Sequence, residues 1–244
     1  VSEKRMVLAL ARVLRYIDPS AEEIAFLQSL PGPELTLSAG DIFPRSHDRD
    51  DLYLLLDGWA VNAAISADGA ERIHSVHLPG DMVGMANLVL DAPSDAIYAL
   101  TAVQLKQLSC SVLREMFERF HRLAAVTMLI AQEERALKHE WNLLHTATAT
   151  SRFAGFLYRI NERVNHLNEI AGFDRTIPLT QKQIAEAVGV TPAYINRLIQ
   201  TFRANDLIKY QRSQLQVLDH ESLGSLSALH EWRVEKPKWL PAPT

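Results

Sequence analysis

Between Thr180 and Phe202 the chain reads TQKQIAEAVGVTPAYINRLIQTF, and this segment restricts the fold more than any other. Thr180 precedes Gln183 by three residues, the spacing at which a side chain and the backbone cap each other at a helix start. Ile184, Ala185 and Val188 give that helix one apolar face. Gly189 then permits a tight turn, because the absence of a Cβ removes the left-handed penalty. Thr191 can cap a second helix, with Pro192 at its first position, where no backbone donor is needed. Ile195, Leu198 and Ile199 form the face that packs back on the first helix. Ala185 has to be small where the two helices cross, and Ile195 fills the space between them. These are the constraints of a helix-turn-helix, whose second helix lies in the major groove of DNA. Downstream, Leu207–Tyr210 and Leu215–Leu218 read as two strands around a turn containing Arg212, Ser213 and Gln214, the pattern of a wing.

The rest of the chain changes character along its length. The first 30 residues read as two helices separated at Pro19. From Leu35 to Leu108, apolar runs such as Leu52–Leu56 and Ile73–Leu78 alternate with turns at Gly40-Asp41, Asp57-Gly58, Asp68-Gly69 and Gly80-Asp81. Four strand-like stretches with such turns predict an antiparallel barrel or double sheet. Helix returns at about Ser109. From His121 to His145 there is no Pro or Gly, and Leu123, Ile130, Leu137 and Leu144 recur seven apart on one seam. Two readings fit that seam: an amphipathic core helix, or the helix of a parallel dimer. A further helix carries Phe153, Phe156, Leu157, Ile160 and Val164, and Asn165–Thr176 reads as a loop.

Totals exclude several classes. No apolar run approaches the roughly 18–20 residues of a membrane span. The opening stretch to Ile17 carries Glu3, Lys4, Arg5, Arg12 and Arg15, unlike a secretory leader, so a cytoplasmic location is expected. A single cysteine, Cys110, excludes an intrachain disulfide and a multi-cysteine zinc site, and should pack as a small buried residue. The net charge of −4 conceals an asymmetry. Residues 1–146 hold 13 Lys/Arg against 20 Asp/Glu, whereas residues 147–218 hold 9 against 5. A basic module joined to an acidic one points to a polyanionic partner for the basic part.

Taken in order, the turn-punctuated strands, the long helix and LTQKQIAEAVGVTPAYINRLIQTFRANDLI resemble the CRP/FNR superfamily of bacterial regulators, over roughly residues 20–225. The resemblance implies an α+β fold in four parts. Residues 1–120 would form a cyclic-nucleotide-binding-like β-roll (a double-sheet jelly roll) with N-terminal helices, and 121–146 a dimerisation helix. Residues 147–230 would form the winged helix-turn-helix, and 231–244 a tail with no derivable role. It implies a homodimer on an inverted repeat of double-stranded DNA, with RNA polymerase as a candidate partner, no membrane and no catalytic residue. It puts Leu123, Val126, Ile130, Leu137, Trp141 and Leu144 at the dimer interface.

The same resemblance assigns base contacts to Pro192, Ala193, Asn196 and Arg197. Arg197 matches the arginine that donates to guanine, and Asn196 offers a donor and an acceptor to an adenine edge. Ala193 departs from the family, which often has Glu there to accept from cytosine. Tyr194 faces either the DNA or the helix interface. Gln181, Thr191, Gln200 and Arg203 are candidates for phosphate contacts.

On the sensor side, family members that bind cyclic nucleotides use a Glu for the ribose and an Arg for the phosphate. The matching segment here has Gly84, Met85 and Leu88, with Met85 in the Glu position and Ser94 or Asp95 in the Arg position. No arginine occurs from Ile73 to Leu113, and Lys106 is the only lysine there. A buried phosphate without a cation is strongly disfavoured, so no cyclic nucleotide and no other cofactor is expected. One cysteine cannot hold an iron–sulfur cluster. His74 and His77, three apart on a strand, would point to opposite faces and could not chelate one ion, although either could be a single haem ligand. Two alternatives stand beside the main reading. One is a small-molecule-gated or haem-gated regulator of the same superfamily. The other is a cupin-type metal enzyme, which would need convergent ligands and leaves the helix-turn-helix unexplained.

Overall fold

The computed structural model describes residues 3–44, 52–65, 71–88, 95–144, 147–227, 229 and 236–241. Two helices open the chain, α1 (Glu3–Leu14) and α2 (Ala21–Gln28). Ser20 caps α2 reciprocally. Its hydroxyl accepts from the Glu23 amide at 3.2 Å, while its own amide donates to Glu23 Oε2 at 2.7 Å.

Seven strands follow among the described residues: β1 (Glu34–Leu37), β2 (Leu52–Asp57), β3 (Ala60–Ile65), β4 (Glu71–His77), β5 (Met82–Val83), β6 (Asp95–Ala99) and β7 (Val103–Leu108). They form two antiparallel sheets, in the orders β1-β7-β2-β5 and β4-β3-β6. Phe43, Tyr53, Leu55, Ala60, Val83, Ile97, Ala99, Val103 and Leu105 make one apolar cluster drawing on both sheets. This is a β-roll whose two sheets share an apolar core among the described residues. The sequence reading found fewer strands, since β5 is only two residues long and β1 carries no buried side chain.

Helices α3 (Cys110–Arg119) and α4 (His121–Leu144) lead out of the roll. Cys110 opens α3 half-exposed rather than buried. The first part of the seam on α4 is covered within the chain. Leu123, Val126 and Ile130 are buried against Tyr16, Phe26, Leu52, Leu108, Val112 and Met116 of the same chain. Leu137 borders a cavity shared with β4 and α5 (Ala149–Ala171). The side chains of Trp141 and Leu144 lie outside the described residues. A seven-residue repeat marks one face of a helix, and contact with the chain's own domain leaves the same mark as contact with a second copy. The exposed face of α4 is a different one. His121, Ala124, Met128, Ala131 and Arg135 follow 3,4-spacing along it, and Met128 is 50% exposed.

Helix α5 runs past the loop expected from Asn165. Val164 and Leu167 continue its buried stripe, and Gly172 ends it in the left-handed conformation at φ 58°. Polar Asn165, His166 and Asn168 masked that continuation in the sequence. Beyond it lie α6 (Gln181–Val188), α7 (Pro192–Ala204), β8 (Ile208–Gln211), β9 (Gln214–Val217) and α8 (His220–Leu226). One apolar cluster joins the two halves of the chain. It runs from Trp59, Val61, Ile73, Val76 and Leu78 to Phe153, Phe156, Ile177, Ile184, Ile195 and Leu215. No helix among the described residues is long and apolar enough to cross a membrane.

Candidate nucleic-acid interface

The two helices that the sequence predicts between Thr180 and Phe202 are α6 and α7. The Thr180 hydroxyl accepts from the Gln183 amide at 3.2 Å, and the Thr180 amide donates to Gln183 Oε1 at 2.9 Å. Gly189 closes α6 at φ 70°, its amide donating to the Ala185 carbonyl at 2.8 Å. A side chain there would pay the left-handed penalty that glycine avoids. The Thr191 hydroxyl accepts from the Tyr194 amide at 3.3 Å and caps α7, with Pro192 at its first position. Ile184, Ala185, Val188, Ile195, Leu198 and Ile199 are all buried between and beneath the helices.

Burial of that face leaves the other face of α7 in solvent. Thr191, Pro192, Ala193, Tyr194, Asn196, Arg197, Gln200 and Arg203 are exposed, and Gln181 at the start of α6 is half-buried. Arg197 sits with its guanidinium carbon 5.0 Å from the Tyr194 ring centroid. Arg203 donates to Gln200 Oε1 at 3.4 Å, a long and weak contact. Strands β8 and β9 form a hairpin whose two turn residues, Arg212 and Ser213, both have positive φ. That is the twist-matched turn of a two-residue hairpin, and it presents Arg212 at the exposed tip. Arg212 was visible in the sequence as part of the turn but carried no assigned contact.

Two family models match this chain, one in its N-terminal half and one in its C-terminal half. Residues 34–120 match the cyclic nucleotide-binding domain, and residues 151–226 match the Crp-like helix-turn-helix domain. The chain belongs to the CRP/FNR superfamily of transcription regulators. It is 23% identical over 193 residues to the fumarate and nitrate reduction regulatory protein of Vibrio cholerae, covering 78% of this chain and 76% of that protein. To the nitrogen fixation regulation protein FixK of Rhizobium meliloti it is 26% identical over 214 residues, covering 85% and 95% respectively. Among solved structures, FixK2 from Bradyrhizobium japonicum superimposes with a TM-score of 0.67 at 19% identity, covering 83% of this chain and all of that one.

In this CRP/FNR regulator the sensor-side candidates among the described residues are Gly84, Met85 and Leu88. Met85 and Leu88 lie in a short 3-10 turn (Met85–Leu88) and pack against the cluster that holds Tyr16, Phe26 and Val126. Gly84 precedes that turn. Ser94 lies outside the described residues, as does the side chain of Asp95 at the start of β6. Lys106 pairs with Glu34 across β1 and β7 at 3.6 Å. Cavities lie elsewhere among the described residues. One of ≈ 70 Å³ lies between β4, α4 and α5, and one of ≈ 50 Å³ between α1, α3 and α4.

The histidine expectation also changes. A register shift between β3 and β4 pairs Asn62 with Ser75 and Ala63 with Ile73, leaving His74 as the extra residue of a bulge. His74 and His77 both border the ≈ 70 Å³ cavity, as do Ile73, Ser75 and Val76 of the same strand. His77 is already engaged, its Nε2 2.7 Å from Asn62 Oδ1 and its Nδ1 3.6 Å from Asp81 Oδ2. Among the described residues no group of three His, Cys, Asp or Glu could hold a metal ion.

What the sequence did not reveal is the ionic junction between the two halves. Asp81, 2% exposed, accepts from Arg163 of α5 at 2.5 Å and from the Leu78 amide at 2.9 Å. Arg12 of α1 lies 3.4 Å from Asp81 Oδ1 and 3.2 Å from Glu133 Oε2, and Arg163 also donates to the Val76 carbonyl at 2.8 Å. Burial by itself would raise the Asp81 pKa, but Arg163 and Arg12, with His77, outweigh it and hold the carboxyl far below the usual carboxylate range. Glu133 is shifted the same way, burial being outweighed by Arg12 and Arg15. The Gly80-Asp81 turn was legible as a turn. Its partner from α5 lies 82 residues further along the chain, beyond the reach of any local pattern.

Proposed function

We propose that this regulator binds an inverted-repeat DNA operator as a homodimer, reads bases through the first turns of α7, and needs no cyclic nucleotide to do so. The observation that carries the reading is the exposed row Pro192, Ala193, Asn196 and Arg197 on a helix whose opposite face is fully buried. Arg197 donates to guanine, and Asn196 serves an adenine edge. Gln181, Thr191, Gln200, Arg203 and the wing-tip Arg212 hold the phosphates and set the register without reading sequence. Dimerisation uses the exposed face of α4 around Met128 and Ala131, where Met128 offers an apolar contact to a second copy.

Selection of bound DNA from a random pool tests this reading. It should enrich an inverted repeat with half-site centres about one helical turn, some 34–36 Å, apart. Enrichment of single, unpaired sites would overturn it. Arg197→Ala should weaken binding to the selected operator by about 1–3 kcal/mol and relax preference at one base pair per half-site. Arg203→Ala should instead weaken binding on every sequence and reduce the slope of log affinity against log salt by about 1.

The nucleotide-independent part rests on the apolar core of the β-roll and on the absence of arginine between Ile73 and Leu113. A ligand specific for the folded state raises stability by about 2.7 kcal/mol at a hundredfold excess over its Kd. Cyclic AMP and cyclic GMP at millimolar concentration should therefore leave both the melting temperature and the operator affinity unchanged. A saturable rise in either would restore nucleotide gating. One observation favours gating by a small molecule instead: the ≈ 70 Å³ cavity touches β4 of the roll and α5 of the DNA-binding half at once, with Arg12, His77, Asp81, Arg159 and Arg163 beside its apolar lining.

A further inference from the structure

Tyr194 occupies a position where the ring neither enters the core nor stands free. The residue is 39% exposed, and its amide is tied to the α7 cap through Thr191. Arg197 follows three residues later, so the two side chains share a face of the helix. Their separation of 5.0 Å from guanidinium carbon to ring centroid lies within the range of a cation–π contact. Among the described residues no carboxylate pairs with Arg197, so the ring is the group that holds its charged head.

We propose that Tyr194 is a positioning residue that sets the base specificity of Arg197. The proposal rests on the reading of Arg197 as a base-contacting side chain and adds what fixes its direction. An unrestrained arginine loses about 2 kcal/mol of rotamer freedom when it docks, and it can as readily find a phosphate as a base edge. A guanidinium held over an aromatic ring has part of that freedom already removed. Contact with the ring uses the π-face and leaves the in-plane N–H groups unspent, so the two donors needed for guanine O6 and N7 stay available. A carboxylate partner would hold the same side chain but would consume those donors. The ring thus orients Arg197 without competing with the base.

The contact belongs to the recognition surface rather than to the fold. Ile195, Leu198 and Ile199, not Tyr194, close the interface with α6. Removing the ring should therefore leave the helix-turn-helix intact and change what it reads. The expected size follows from exposed cation–π contacts, which correspond to about two- to fivefold in an equilibrium constant.

The test uses the full-length protein, its selected operator, the same operator altered at the base pair that Arg197→Ala relaxes, and random DNA. Three variants separate ring, bulk and hydroxyl: Tyr194→Phe, Tyr194→Leu and Tyr194→Ala. Discrimination between the two operators should fall about two- to fivefold in the Leu and Ala variants and stay at the parental level in Phe. Affinity for random DNA and the melting temperature should not change, and Tyr194→Ala should have no further effect in an Arg197→Ala background. Equal loss in Phe would assign the effect to the hydroxyl and overturn the proposal. Unchanged discrimination in Leu and Ala would overturn it as well. If Arg197→Ala itself left discrimination untouched, the base-reading assignment would fall first, and that result is distinguishable from failure at Tyr194 alone.

Discussion

Replacing Met128 and Ala131 together by glutamate should convert the protein to a monomer and lower its affinity for the selected operator about a thousandfold or more. Both side chains lie on the exposed face of α4, and neither is needed to close the core of the chain. In a dimer, four carboxylates would meet across one helix seam, where like charges in a drying interface cost several kcal/mol. Loss of the second half-site leaves a monomer with little beyond non-specific affinity, typically about 10³-fold or more weaker than specific binding. Sedimentation together with operator titration measures both effects, and a melting curve shows whether the monomer stays folded. A dimer that persists in the double variant would show that the two copies meet elsewhere. Ile130→Lys makes the contrast. It places a charge in the chain's own core beside Tyr16 and Phe26, so it should destabilise the fold rather than dissociate the dimer.

The second large effect should come from Asp81→Asn. The substitution keeps the shape of the side chain but removes the charge that Arg163 and Arg12 share at 2.5 and 3.4 Å. Breaking a buried ion pair from one side leaves the partner charge uncompensated and costs about 3–5 kcal/mol. Arg12, 5% exposed, keeps Glu133, whereas Arg163 keeps the Val76 carbonyl and the longer-range attraction of Glu133 and Glu134. Denaturant midpoints should fall accordingly, and a change under about 1 kcal/mol would show that the junction is not held by Asp81.

The pH dependence gives the same contact a second readout. Asp81 has a folded pKa below its unfolded value of about 3.9, so the folded state binds fewer protons at this site. Its contribution is fully present above the unfolded pKa and is lost as pH falls from there towards the folded pKa. Parental protein should therefore lose stability steeply below about pH 4, and Asp81→Asn should lose it less steeply over that interval. Because Asp81 belongs to the β-roll and Arg163 to α5, the junction also fixes where the DNA-binding half sits. The variant should consequently tolerate a wider range of half-site spacings.

Some of this architecture was written in the sequence at short range. The helix-turn-helix was legible because its constraints all act within a few residues: Thr180 with Gln183, Thr191 with Pro192, and Gly189 between them. Capping, helix initiation and left-handed turns depend on the local backbone, so their residues cluster in the chain as they do in space. The wing turn at Arg212 and Ser213 was legible for the same reason.

Other features depended on which surfaces meet. The repeat of Leu123, Ile130 and Leu137 fixed that α4 has a buried face, but not what buries it. Hydrophobic burial is non-directional, and a helix stripe covered by α1, α2 and α3 has the same sequence as one covered by another copy. The bulge at His74 reset the alternation that strand geometry imposes, and only the pairing partner β3 could reveal it. The junction of Arg12, Asp81, Glu133 and Arg163 joins positions scattered over more than half the chain. Coulombic attraction acts through space and leaves no periodicity behind. The sequence by itself determined the caps, the turns and the face of each helix; tertiary packing decided what each face meets, because burial and charge depend on neighbours that the chain brings together only when folded.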